Sequence, residues 1–154
     1  YILNKDEFIF YEGVKEAIKI FTKKFARIFI VTNQRGIGKG LMTEDDLAGI
    51  HRQMIQEIEK EGGKIAGIYY CTSIDNKHPD RKPNPGTAFT IKKDFPDVDL
   101  SKTIMAGNKL SDMLFARNAG LYSVFTATTN PDTPFPHPDI DLRVDSLINF
   151  AKAL

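Results

Sequence analysis

An α/β fold, a parallel sheet with helices on both faces, is predicted by three features of this 154-residue sequence. Short β-branched and aromatic runs alternate with segments whose apolar residues recur at helical spacing, the order that builds strand–helix–strand units. The strand-like runs are of the kind found in parallel strands buried on both faces. Polar clusters follow several of these runs, at the carboxyl ends of strands where open parallel sheets bind ligands.

The elements can be taken in order. Val14, Ala17, Ile18 and Phe21 predict a helix over Gly13–Lys24, and Arg27–Asn33 reads as the next strand. After a loop with Gly36, Gly38 and Gly40, Thr43 can cap a helix whose first turn is Glu-Asp-Asp, acidic residues suited to the positive end of the helix. Leu47, Ile50, Met54 and Ile58 continue one face of it until Gly62-Gly63 stops it. Ile65–Cys71 is a strand, residues 86–95 and 110–119 are helices, and Gly120 ends the second of these. Strands are expected at Thr103–Gly107, Leu121–Phe125 and Leu142–Val144, with a last helix from Asp145 to the end. The stretch Asn130–Pro138, with four prolines, is a stiff surface loop, because proline gives a ladder no donor. A single domain over 1–154 is expected, since this length buries a core.

Composition narrows the function. Apolar residues are 42% and charged residues 27%, and 21 Lys and Arg against 20 Asp and Glu leave a net charge of +1. That balance gives no support to a general nucleic-acid or membrane partner, either of which usually draws a basic excess. Cys71 is the only cysteine, which rules out an intrachain disulfide and a Cys-rich zinc site. It reads as a small buried side chain, compatible with a reducing compartment, and a cytoplasmic location is expected. No apolar run approaches the roughly 18 residues of a membrane span.

Three clusters carry candidate chemistry. In Val31-Thr32-Asn33-Gln34-Arg35-Gly36-Ile37-Gly38-Lys39-Gly40 a hydroxyl and an amide end a strand and lead into a glycine loop, which can offer donors to a phosphate. The spacing is not that of a nucleotide-hydrolase phosphate loop, and the cluster reads equally as a flexible turn. In Arg81-Lys82-Pro83-Asn84-Pro85-Gly86 two prolines restrain the backbone, so Lys82 can be held to neutralise charge in phosphoryl transfer. A solvated basic pair at a helix start is the alternative. In Gly107-Asn108-Lys109-Leu110-Ser111-Asp112 two oxygen donors lie four residues apart beyond a strand, as Mg²⁺ requires, or else they form an ordinary turn and helix start. His51, His78 and His137 show no metal-ligand or triad spacing.

In this order the clusters resemble the haloacid dehalogenase phosphatases. The resemblance covers nearly the whole chain, from Phe8-Ile-Phe10 and Gly13-Val14 through Val-Thr-Asn-Gln, Tyr69-Tyr70-Cys71 and Arg81-Lys82-Pro83 to Gly107-Asn108-Lys109 with Asp112-Met113. It is strongest to the branch that holds heptose-bisphosphate and histidinol-phosphate phosphatases. It implies a Rossmann-like core without a cap domain, and an Asp-x-Asp motif after a first strand that supplies the nucleophile. That strand and motif lie ahead of the position matching Tyr1, so they are expected upstream of this chain.

The resemblance further implies that Thr32 holds the phosphoryl group and that Asn33, Gln34, Arg35 and Arg81 contact substrate. Lys82 braces nucleophile and phosphate, and Asn108 and Asp112 support Mg²⁺. Asn108 stands where the family usually has Asp, and its neutral amide should bind the ion less tightly. Thr72–Asp80 keeps only Cys71 and His78 of a Cys/His loop found in many relatives, so structural zinc is not expected. Specificity would then rest on the loops Gln34–Leu41 and Thr72–Asp80. The implied activity is Mg²⁺-dependent hydrolysis of a small sugar phosphate through an aspartyl-phosphate, with a heptose bisphosphate as the leading substrate. Histidinol phosphate, or a non-catalytic phosphate-binding role, is the alternative.

Overall fold

The computed structural model describes residues 13–33, 39–40, 42–71, 75 and 77–154. The chain divides into two compact units, Tyr1–Ile74 with Phe150–Leu154, and Asp75–Asn149. Every strand ladder among the described residues is parallel, helices alternate with the strands, and no cap is inserted between these elements.

In the first unit, α1 (Val14–Lys24) starts after Gly13, whose φ of 81° places it in the left-handed region. It buries Ala17, Ile18 and Phe21, and the Phe21 ring meets those of Phe25 and Phe150 at 6.0 and 5.8 Å. β1 (Phe29–Asn33) pairs in parallel with β2 (Gly67–Cys71), with Phe29 opposite Gly67 and Thr32 opposite Tyr70. The strands expected from Arg27 and Ile65 start later because the ladder begins only there; just ahead of it the Ala66 amide donates to the Ile28 carbonyl at 2.7 Å.

Between the two strands runs α2 (Glu44–Lys60), opened by a reciprocal cap. The Asp46 amide donates to Thr43 Oγ1 at 3.0 Å, and the Thr43 amide donates to Asp46 Oδ2 at 2.9 Å. Two orphan helix-end donors are thereby satisfied. Leu47, Ile50 and Ile58 are its buried face. The turn beyond it is locked to α1, where Thr22 Oγ1 donates to Ile18 O and accepts from the Lys64 amide.

The second unit holds α3 (Gly86–Asp94), β3 (Ile104–Gly107), α4 (Leu110–Ala119), β4 (Tyr122–Thr126) and β5 (Leu142–Val144). The strands form a parallel sheet in the order β3–β4–β5, with Gly107 opposite Phe125 and Val124 opposite Leu142. α4 packs on β3 and β4. Met113, Phe115, Val124 and Phe125 are all but fully buried, each stabilising by roughly 1.5–3 kcal/mol.

Gly120 closes α4 at φ 77°, and the Leu121 amide is spent on the Ala116 carbonyl at 2.8 Å, which is why β4 begins one residue later than expected. A short 3₁₀ turn, Leu100–Lys102, was not anticipated; Asp99 Oδ1 caps it by accepting from the Ser101 amide and hydroxyl. The last helix, α5 (Leu147–Ala153), starts at Leu147 rather than Asp145 because the Ser146 hydroxyl accepts from the Asn149 amide.

The connection from β4 to β5 carries the proline-rich stretch and no helix. Arg117 clasps it, donating to both Asp141 carboxylate oxygens at 2.7 Å and to the Pro138 carbonyl at 3.0 Å. The fully buried Ser123 donates through its hydroxyl to the Asp139 carbonyl at 2.7 Å, and its amide donates to Asp141 Oδ2 at 2.8 Å. No helix among the described residues is long and apolar enough to cross a membrane.

Candidate active site

The strongest arrangement of candidate residues lies in the second unit and begins with the loop ahead of α3. The His78 carbonyl accepts from the Arg81 amide at 3.0 Å and from Asn84 Nδ2 at 2.9 Å, and the Asn84 amide donates back to the Arg81 carbonyl at 2.8 Å. The Gly86 amide donates to the Pro79 carbonyl at 2.8 Å, so close that a Cβ at 86 would collide with it and with Asp80. From the far side, Asn118 Nδ2 on α4 donates to the Pro83 carbonyl at 3.0 Å. The Arg-Lys-Pro segment is therefore held along its length. The Lys82–Pro83 bond is cis, and Arg81 is buried.

That loop delivers the Lys82 ammonium to the first turn of α4. Lys82 Nζ stands 2.6 Å from Asp112 Oδ1, with the two side chains only 11% and 8% exposed. Asp112 is there because a strand ends in glycine just before its helix begins. A Cβ built on Gly107 would lie 2.5 Å from both Cβ and Oδ2 of Asp112. The carboxylate thus sits directly over the β3 terminus, in the first helical turn where the peptide dipoles favour negative charge.

Asn108 follows Gly107 at the end of β3. Its Nδ2 donates to Thr129 Oγ1 at 2.9 Å, and its backbone carbonyl accepts from Asn130 Nδ2 at 2.7 Å. Thr129 and Asn130, on the segment after β4, were not singled out from the sequence. They follow the carboxyl end of a parallel strand as the three clusters do, and that position was the signal available.

Two of the three sequence clusters, thirty residues apart, are joined by the Lys82–Asp112 contact. The first belongs to the other unit: Thr32 and Asn33 are the last residues of β1, and Thr32 is half-buried. Gln34, Arg35, Gly36 and Gly38, together with Thr72–Ile74, lie outside the described residues. Cys71 is buried.

Each histidine has a local partner. His78 and His137 accept from the amides two residues on, at 3.1 Å in both cases. The His51 ring stands edge-on to Tyr70 at 5.4 Å, and burial lowers its pKa. Tyr70 donates to Glu44 Oε2 at 2.9 Å, and that bond raises its pKa.

Two Asp-x-Asp triplets within the chain are engaged elsewhere. In Asp97–Asp99 the second carboxylate caps the 3₁₀ turn, and in Asp139–Asp141 the second is clasped by Arg117. That clasp lowers the Asp141 pKa to about 2, chiefly through the Arg117 hydrogen bonds.

An ammonium held at a strand end can neutralise a phosphoryl oxygen, and an adjoining carboxylate and amide oxygen can hold a hard cation. No cluster of three or more His, Cys, Asp or Glu suited to a metal ion occurs among the described residues. A carboxylate on Asp112 and an amide oxygen on Asn108, both just beyond the end of β3, are donors of the type Mg²⁺ takes, since it keeps several waters and needs few protein ligands alongside substrate phosphate.

No family model matches the chain. It is 30% identical over 167 residues to the D-glycero-beta-D-manno-heptose-1,7-bisphosphate 7-phosphatase of Escherichia coli O6:H1, an alignment covering 100% of this chain and 85% of that protein. It is 33% identical over 121 residues to the D-glycero-alpha-D-manno-heptose-1,7-bisphosphate 7-phosphatase of Campylobacter jejuni, covering 79% and 69%. Among solved structures it matches the D,D-heptose 1,7-bisphosphate phosphatase of B. bronchiseptica, complexed with magnesium and phosphate, at a TM-score of 0.89 and 25% identity, over 99% of this chain and 87% of that one.

Proposed function

The chain belongs to the haloacid dehalogenase superfamily, in the branch of the heptose-bisphosphate phosphatases, and from that premise we propose that it hydrolyses D-glycero-D-manno-heptose 1,7-bisphosphate. It is a phosphomonoester hydrolase. The observation that carries the substrate-binding part of this reading is the Lys82–Asp112 pair, an ammonium fixed at a parallel-strand end beside Asn108.

In the proposed reaction an aspartate encoded ahead of Tyr1 attacks phosphorus, and the P–O bond to the sugar breaks. The sugar oxygen takes a proton from the second aspartate of that motif. Water then attacks the aspartyl phosphate, giving a proton to the second aspartate, and the phosphorus–carboxylate bond breaks to release inorganic phosphate and restore both side chains. Lys82 balances the charge of the phosphoryl oxygens while Asp112 keeps its ammonium in place. Thr32 donates its hydroxyl to the phosphoryl group, and Asn33, Gln34, Arg35 and Arg81 contact the rest of the substrate.

Asn108 and Asp112 are the residues that would hold Mg²⁺, whose charge supplements that of Lys82 at the phosphate. The single free cysteine, buried in β2, goes with a cytoplasmic setting.

The test is phosphate release by the protein expressed from its complete reading frame, with Mg²⁺. Both anomers of the heptose bisphosphate are assayed beside histidinol phosphate and a 3′-phosphorylated oligonucleotide. A heptose bisphosphate should be the preferred substrate, and Lys82→Ala should abolish release. Preference for histidinol phosphate would move the chain to that neighbouring activity, and no turnover of any sugar phosphate would overturn the proposal.

A further inference from the structure

Three side chains close around the Gly107–Asn108 turn, Thr126 at the end of β4 and Thr129 and Asn130 in the segment after it. Thr126 Oγ1 donates to the Gly107 carbonyl at 3.2 Å, and Asn130 Nδ2 donates to the Asn108 carbonyl at 2.7 Å. Thr129 Oγ1 accepts from Asn108 Nδ2 at 2.9 Å and from Asn130 Nδ2 at 3.3 Å. With two N–H donors aimed at it, both acceptor sites of that hydroxyl are filled.

The consequence for Asn108 is orientation. An amide can present either its NH₂ or its oxygen to a neighbour, and only the oxygen serves a cation. Thr129 engages the NH₂ end. The oxygen, Oδ1, accepts no hydrogen bond from any group among the described residues. We propose that Thr129 and Asn130 are positioning residues, which fix the Asn108 amide so that its oxygen faces away from the β4 segment and toward the Mg²⁺ site.

This inference rests on the proposed assignment of Asn108 to the metal. It also accounts for how the turn accommodates a neutral amide. Were residue 108 a carboxylate, the Thr129 hydroxyl could turn and donate its own hydrogen to it, so the same threonine serves either side chain. Groups that orient a metal ligand in this way typically account for about 10-fold or more in affinity.

The experiment is calorimetric titration of the full-length protein with Mg²⁺, together with the side-chain NH₂ resonances of Asn108 in an amide correlation spectrum. Thr129→Val removes the acceptor at constant shape. It should weaken Mg²⁺ about 10-fold and shift the Asn108 NH₂ signals, while Thr129→Ser restores both. Thr129 and Asn130 are exposed, so the core is untouched. Asn130→Ala frees the Asn108 carbonyl and should weaken Mg²⁺ by a smaller factor; it decides the matter if Thr129→Val does not fold. Mg²⁺ binding by the unsubstituted protein that neither variant alters would overturn the inference alone. Absence of Mg²⁺ binding by the unsubstituted protein would overturn the metal assignment and the inference with it.

Discussion

Lys82 and Asp112, thirty residues apart in sequence, meet at 2.6 Å with both side chains nearly buried. Removing one member leaves the other's charge buried without its partner, at a cost of about 3 kcal/mol or more. Lys82→Met and Asp112→Asn should therefore each lower the urea midpoint, and the double variant should lower it by less than the sum of the two. The double variant also separates stability from chemistry: folded but inactive protein would place the loss of activity in the two missing charges rather than in the fold.

Gly107 is held to glycine by space. Its Cβ would come within 2.5 Å of Asp112, whereas a Cβ on Gly49 in α2 would meet nothing nearer than Arg52 at 3.9 Å. Gly107→Ala should destabilise by about 1–3 kcal/mol through overpacking and displace the Asp112 carboxylate. Gly49→Ala should stabilise by about 0.5–1 kcal/mol, since alanine is the better residue within a helix. Thermal unfolding of the two variants beside the parent should give opposite signs, and only Gly107→Ala should impair phosphate release.

Asp141 gives the second unit an acid-sensitive contact. Its pKa falls from 3.8 to about 2 on folding, so the native state binds the proton more weakly than the unfolded chain. The stabilisation is complete above the unfolded value and is lost as pH falls from about 4 to about 2. Its size is at most about 2.5 kcal/mol, and solvent screening of a pair that is 26–32% exposed reduces it. Denaturant unfolding at neutral pH and near pH 3 should show this loss in the parent and a smaller one in Arg117→Gln. Equal acid sensitivity in the two proteins would remove the clasp from the account.

Features governed by neighbours in sequence were legible in advance. Thr43 foretold the helix cap, to which the structure adds the reciprocal bond to Asp46, and Gly120 foretold the end of α4, because both act within one helical turn. In the second unit, the polar residues at the end of β3 were legible through a general property of parallel sheets, and the Lys82 loop through its restraining prolines. What escaped notice depends on contacts across the fold. No local pattern announces that Arg117 will grip Asp141, or that Thr129 will take the Asn108 amide 21 residues away. The 3₁₀ turn at Leu100–Lys102 escaped for another reason: three residues are too few to show a period.

Parallel neighbouring strands are usually joined through a helix, whose backbone bonds make the connection self-supporting. The passage from β4 to β5 has no such helix, so the connection is held by the Arg117, Ser123 and Asp141 side chains while β5 itself pairs with β4. Opening that clasp frees the connection without disturbing the β3–β4 pairing. The unit is thus graded in its cooperativity: amides of the connection exchange with solvent through a local event, while those of Val124 and Phe125 wait for the core to come apart.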